Sequence, residues 1–345
     1  MSTLVYNKLR FGKESTPGTG VAAIIQPQST RVSPPNPMVP SEVTESDGGR
    51  VGVDVITGKE HSEWAISGGL ALADLAFWFS AAFGKVDIDA NVLVASLDQE
   101  TAFPYALTME YGNQSTVDKA PNCRMTSLGL QLPPNSLGSF SGSLIGGKLE
   151  DGASPSSATK LPQLMAGPKG VSLWISTTAA GLTTSGNQVI ASEGLLDLSF
   201  NVGPLHDPLF TVSEDDSVAD FVETKPSITA NITMIRNSAL MSDCMTQLRA
   251  GTLMYARILA KGPTVSSVQS LMDIRFPFKF MSPAGSENQG KYARSLVMQA
   301  LYDAPSGGLG TACQATFTGA WIGTEFGAGG AFNGIASAVD TTPGV

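Results

Sequence analysis

The stretch 225–262 limits the possible folds of this chain more than any other. It reads KPSITANITMIRN, SALMSDCMTQLRAG, TLMYARILAKG. In the first piece Ile228, Ala230, Ile232 and Met234 alternate with Thr229, Asn231 and Thr233, the period of two of a strand with one buried face. In the second, Leu240, Met241, Cys244, Met245 and Leu248 recur at the three-and-four spacing of one helical stripe, with Asn237 or Ser238 placed to cap its start and Gly251 just past its end. Strand character returns through Leu253, Tyr255 and Ile258. The unit is therefore a strand, a helix lying across a sheet, and a strand.

The same order occurs earlier. Trp64 and Ile66 give the strand HSEWAISGGL its apolar face. Leu72, Leu75, Ala76, Phe79 and Phe83 make a helical stripe that Gly84 ends, and TAFPYALTMEYG follows from Thr101. Strand-like segments then follow each copy, 125–132 and 137–149 in the first, 272–281 and 293–302 in the second. The pattern predicts an internal duplication.

Length agrees with this, since 345 residues suit about two domains, each able to bury a core without metals or disulfides. The predicted fold class is mainly β with short helices (α+β), in two tandem domains, each with a helix. The expected divisions are an extended N-terminal arm (1–49), a first domain (50–165) and a second (166–345) with a Gly-rich tail. In the arm, Pro17, Pro27, Pro34, Pro35, Pro37 and Pro40 exclude a long helix or central strand. Val21, Ala23, Ile24 and Ile25 are more apolar than a solvating tail needs, so the arm is expected to dock on a neighbouring subunit. Val51, Val53 and Val55 alternate as a strand. KVDIDANVLVASLDQE, with Asp87, Asp89, Asp98 and Glu100, reads as a surface loop or hairpin; it lacks the glycine and terminal glutamate of a calcium loop. The composition shift at 150–169 marks the domain boundary. Strands are expected in VSLWISTTAAG, through Leu196, Leu198 and Phe200, and in LMDIRFPFKFM, KYARSLVMQALYD and TACQATFTGAWIG.

Chemistry-bearing patterns are sparse. No GxSxG, HExxH, Walker A or dinucleotide fingerprint occurs, and Ser141 lies in an alternating strand. Carboxylates cluster only in segments that read as exposed, densest at 203–225, a predicted long loop carrying Asp207, Glu214, Asp215, Asp216, Asp220 and Glu223. His206 beside Asp207 reads as a surface histidine, because no second His or Cys stands at ligand spacing. Cys123, Cys244 and Cys313 read as reduced, buried thiols. No catalytic, cofactor-binding or metal site residue is predicted, so the expectation is a non-enzyme with no cofactor.

A charged fraction of 15% is low against the usual ~25% and suits a protein whose sides are covered by sister copies. The net charge of −9 and pI near 4.8 argue against packaging or sequence-reading of nucleic acid, which draws its affinity from Lys and Arg on phosphates. The start, MSTLVYNKLRFGKES, lacks an apolar secretory core, so synthesis in a cytoplasm is expected, and the glycosylation-like tripeptides at Asn113 and Asn231 read as coincidences.

FGKESTPGTG, GRVGVDVITGKEHSEWAISGGL, ALADLAFWFSAAFG, SITANITMIRN and SLMDIRFPFKFMSP together resemble the tail tube (major tail) proteins of long-tailed bacteriophages. The resemblance covers most of the chain and runs through small and apolar residues: the turn at Glu14, Gly18 and Thr19, the turn at Gly69 and Leu70, and the helix ending at Gly84. It implies two tandem β-sandwich or barrel domains, each with a flanking helix, in subunits packed into rings that stack into a hollow virion tube, assembled in the bacterial host's cytoplasm. Double-stranded DNA would pass without specific binding, other tail proteins would sit at the tube ends, and no membrane is involved. The second, duplicated half departs from single-domain members and leaves a trimer or a hexamer open. On that reading the lumen wall is expected to carry more Asp and Glu than Lys and Arg, with 203–225 joining successive rings. The alternatives are a virion surface or spike module and a capsid-decorating protein; an aromatic content of 7% weakens a glycan-binding spike, and Trp64, Trp174 and Trp321 are expected in the core.

Overall fold

The computed structural model describes residues 7–33, 35–38, 41–45, 52–57, 60–97, 105–133, 136–167, 170–184, 187–189, 195–209, 220–235, 239–281, 283–288, 291–303 and 308–326. The fold is mainly β. The N-terminal part holds β1 (Lys8–Lys13), β2 (Ile25–Gln26), β3 (Thr30–Val32), β4 (Asn36–Met38), β5 (Ser41–Glu45), β6 (Gly52–Thr57) and β7 (His61–Gly69). Helix α1 (Leu72–Phe83) follows, then β8 (Lys85–Asp89), β9 (Val92–Leu97), β10 (Leu107–Gly112), β11 (Val117–Gln131), β12 (Ser139–Gly146), β13 (Glu150–Ala153) and β14 (Thr159–Lys160). Next come β15 (Val171–Ser176), β16 (Gln188–Val189), β17 (Leu195–Gly203), β18 (His206–Leu209), β19 (Asp220–Glu223) and β20 (Ser227–Ile235). Helix α2 (Ala239–Ala250), β21 (Met254–Val265), β22 (Val268–Phe280), β23 (Ala284–Asn288), β24 (Lys291–Ala300), β25 (Cys313–Thr318) and α3 (Ala320–Glu325) complete the described chain.

Twenty-one strands join one hydrogen-bonded sheet, while β5 with β6 and β18 with β19 form separate two-stranded ladders. In the N-terminal half β1 pairs β10, β10 pairs the first part of β11, and the second part of β11 pairs β12. β12 in turn pairs β7, whose other edge carries β3 and β4, and β13 lies on the free side of the first part of β11. The C-terminal half repeats that order. β15 pairs β21, β21 pairs β22, and the end of β22 pairs β24. β24 pairs β20, whose other edge carries β17, and β25 lies on the free side of the earlier part of β22. Every one of these ladders is antiparallel, and each half inserts its helix after the equivalent strand, α1 after β7 and α2 after β20.

Ladders also cross between the halves. Ser199 to Val202 of β17 pair with Leu128 to Gln131 of β11, and β25 pairs β9. β13 and β14 fall in the segment 150–169 where the sequence places the domain boundary, and they pair with β11 and with β2.

Alternation is borne out in β20, where Ile228, Ala230, Ile232 and Met234 are buried. The α2 stripe is borne out too: Met241 and Cys244 are buried, and Leu240, Met245 and Leu248 pack against the core. The expected cap at 237–238 lies outside the described residues, whereas Gly251 takes the left-handed conformation expected past a helix end (φ 62°). Gly84 ends α1 with a positive φ of 76°, its N–H donating to Ser80 O at 3.0 Å.

Three expectations need correction. First, α1 does not lie across a sheet by one stripe: all twelve of its residues are buried. Phe77 stacks on Phe11 of β1 at 3.8 Å, and Phe79 meets Phe200 of β17 and Phe317 of β25. LADLAFWFSAAF is apolar nearly all round, and such a helix is stable only when enclosed. Second, much of the arm packs on its own chain rather than waiting for a neighbour. β1 completes a six-residue ladder with β10, and Phe11, Ala23 and Ile25 are buried. Third, the run from Thr311 is not one strand; β25 stops at Thr318, and after Gly319 the chain turns into α3, which buries Trp321 and Ile322.

KVDIDANVLVASL is the hairpin of the two alternatives, β8 with β9. Asp87 and Asp89 are exposed on β8, while Leu93, Ala95 and Leu97 of β9 are buried. Asp98, Glu100 and the Gly-rich end from 327 lie outside the described residues.

Candidate functional site

Outside the exposed clusters, four single carboxylates, Glu14, Asp74, Glu110 and Asp273, are buried. A buried carboxylate must be met by donors, and each of these is. Glu14 closes the turn that the sequence singled out: the Gly18 N–H donates to Oε2 at 2.8 Å, and Gly18 adopts φ 82°, a conformation that glycine enters without strain. The other oxygen accepts from the Thr108 hydroxyl and the Asn122 N–H, both at 2.8 Å, tying this turn to β10 and β11.

Asp74, in the first turn of α1, does the same for the segment before β3. It accepts from the N–H groups of Gln28 (3.3 Å), Ser29 (2.8 Å) and Thr30 (2.9 Å) and from the Thr30 hydroxyl (3.0 Å), which itself accepts from Trp78 Nε1 at 3.1 Å. Burial pushes the Asp74 carboxyl above its usual 3.8, and these donors pull it partway back. Glu110 accepts from the Ser156 N–H and hydroxyl (3.0 and 2.6 Å) with Arg10 at 3.9 Å. Asp273 holds Arg257 and Arg275 at 2.9 and 2.7 Å, with Arg257 also lying over the Trp174 ring. Each carboxylate fastens neighbouring segments, so the arrangement is that of a structural clasp.

His206 is not a surface residue. It is buried in β18, its Nδ1 2.8 Å from the Met125 carbonyl oxygen. The alternation of a short strand turns His206 inward and Asp207 outward, and the adjacent acidic run masks that pattern. The expected loop at 203–225 thus begins and ends in the β18–β19 ladder, and its centre, 210–219, lies outside the described residues. Phe221 packs with Ile145, while Leu209 and Val222 are exposed.

Among the described residues no group of three or more His, Cys, Asp or Glu side chains is placed to hold a metal ion. The three cysteines are free and buried, as expected. Burial is the main cause that pushes the Cys123 and Cys313 thiols far up, so they remain protonated. Trp64, Trp174 and Trp321 are buried, as expected. No helix among the described residues is long and apolar enough to cross a membrane.

What the fold does leave open is sheet border. β23 pairs β24 along one side and no other described strand. Among the described strands, β4 pairs only β7, along one side. β8 is also a border, but it alternates Lys85, Asp87 and Asp89 with the inward Val86 and Ile88, the charged dressing that discourages further pairing. Exposed apolar side chains lie near the first of these borders: Met281, 51% exposed, directly precedes the β23 segment, and Tyr292 on β24 is 76% exposed. The sequence carried no signal for these borders, because strand order is set by pairings between distant segments. Compared with protein-family models and with curated proteins, the chain gives no match.

Proposed function

We propose that this chain is a structural, non-enzymatic virion protein of the tail-tube kind, built of two tandem β-sandwich or barrel modules, each with its helix, that self-associates into rings stacking as a conduit for genome ejection. The observation that carries the reading is the same strand order appearing twice in one polypeptide, with a ladder joining the two halves. A chain that already joins two like modules side by side needs only sister copies to continue the pattern. Three chains would supply six modules to a closed ring, the count that single-module subunits reach as a hexamer. Each lateral contact would bury roughly 2,000 Å² or more, as obligate interfaces do.

The net charge of −9 fits a conduit, since a wall rich in Lys and Arg would grip phosphates and stall passage, whereas an acidic or neutral wall lets a duplex slide. In this reading the segment 203–225 contacts the next ring, the tube ends meet other tail proteins, and DNA is a passing neighbour. Negative-stain microscopy of the purified protein tests the proposal: hollow rings, single or stacked, are expected, and solitary compact particles at all concentrations would overturn it.

A further inference from the structure

The internal ladder between the halves specifies how one molecule would meet the next. Inside the chain, β17 lies on the outer side of β20 and presents its other side to the second part of β11. Each of these strands has a counterpart in the opposite half. The counterpart of β17 is β3 followed by β4, which run one after the other along the outer side of β7, from Thr30↔Gly68 to Met38↔His61.

The counterpart of the second part of β11 is the end of β22 followed by β23. Both lie on one side of β24, in nearly continuous register from Phe278↔Ala300 through Phe280↔Met298 to Ala284↔Ser295 and Asn288↔Lys291. The opposite side of β24 is occupied by β20. At the internal junction both strands are satisfied on both sides; Leu128, for example, pairs Gly142 and Val202. Their counterparts are not. β23 and β4 each have one described partner, and on β3 the Thr30 N–H is already taken by Asp74. Among the described residues, the two borders left unpaired are thus the equivalents of the two that meet within the chain.

We infer that β4 of one copy pairs antiparallel along β23 of a second copy, repeating between molecules the junction that β17 and β11 make within one. This rests on the proposed self-association but not on stacking or genome passage. The contact is head-to-tail, using two different surfaces, so each copy keeps one of each border for its neighbours, and the array ends only when a ring closes. Strand addition of this kind draws its affinity from main-chain hydrogen bonds.

Cysteine pairing reads the contact directly. Full-length chains carrying Asn36→Cys or Met38→Cys are mixed with chains carrying Ala284→Cys, Ser286→Cys or Asn288→Cys and oxidised gently. Disulfide-linked dimers between unlike variants, in at least one combination, are expected, with little product from any variant alone. Failure of every combination in protein that sediments as oligomers would overturn the inference and leave the tube reading standing. Efficient linkage of one variant to itself would overturn it too, because it requires a two-fold contact. Linked dimers from protein that forms no hollow rings in the microscope would support the inference and sink the tube. Protein that is monomeric at every concentration would end both.

Discussion

Helices α1 and α2 occupy equivalent places in the two halves and have the same length, yet they live in opposite environments. All twelve residues of α1 are buried, but only Met241 and Cys244 of α2 are. Composition decides the difference. α1 has one ionisable residue, Asp74, and uses it as a clasp, while Ser242, Asp243, Thr246 and Arg249 give α2 an exposed polar face. Helix α1 touches strands of both halves, through Phe11, Phe200 and Phe317, so it serves as a common pillar. An equivalent place in the strand order therefore fixes where a helix begins and ends, not how much of it meets solvent.

The sharpest break of this comparison is Phe79→Ala. Losing an enclosed ring and leaving a void costs about 3–5 kcal/mol, a large part of the ~5–15 kcal/mol available to a folded domain. Urea unfolding should show that loss; a change under about 1 kcal/mol would mean that α1 is not enclosed.

Asp74→Asn comes next. It replaces an acceptor-only group with one that brings two donors toward three N–H groups, at a cost of about 2–3 kcal/mol. Its pH dependence has a definite sign. The folded carboxyl sits above 3.8, so the folded state binds the proton more tightly, and the stability Asp74 adds is fullest below that value and declines as pH rises through the folded value. The stability gap between wild type and variant should narrow from acid toward neutral pH; a gap that widens would contradict the burial-dominated shift.

On α2 the effects should be smaller. Met241→Ala should cost about 2 kcal/mol, the low end for a buried methionine, because the helix borders solvent. Thr246→Ala should move stability by no more than about 0.5 kcal/mol, since Thr246 is exposed and its hydroxyl donates only to Ser242 O within the helix. A thermal melt separates the two, and a large loss at Thr246 would show that this face is covered.

Much of this was legible from local pattern. Alternation in 228–234 located the buried face of β20, and the glycines at 84 and 251 marked both helix ends. A five-residue stripe understates α1 because a helix without a polar face gives no contrast: Ala73, Phe77, Trp78 and Ala82 lie between the stripe residues and are equally apolar. Glu14 and Asp74 were invisible as clasps because most of their partners are backbone N–H groups, which every residue but proline carries. His206 was hidden by its acidic neighbours. The repeated order of elements could be read along the chain, but the open borders at β4 and β23 could not, since a border exists only once all other pairings are known.

The three cysteines carry a practical consequence. With all three native cysteine thiols sealed in the interior, the folded protein should stay silent toward maleimides. A single thiol introduced on its outside would then be the sole point of attachment, so dyes, spin labels or gold can be placed one per chain without first stripping the natural ones.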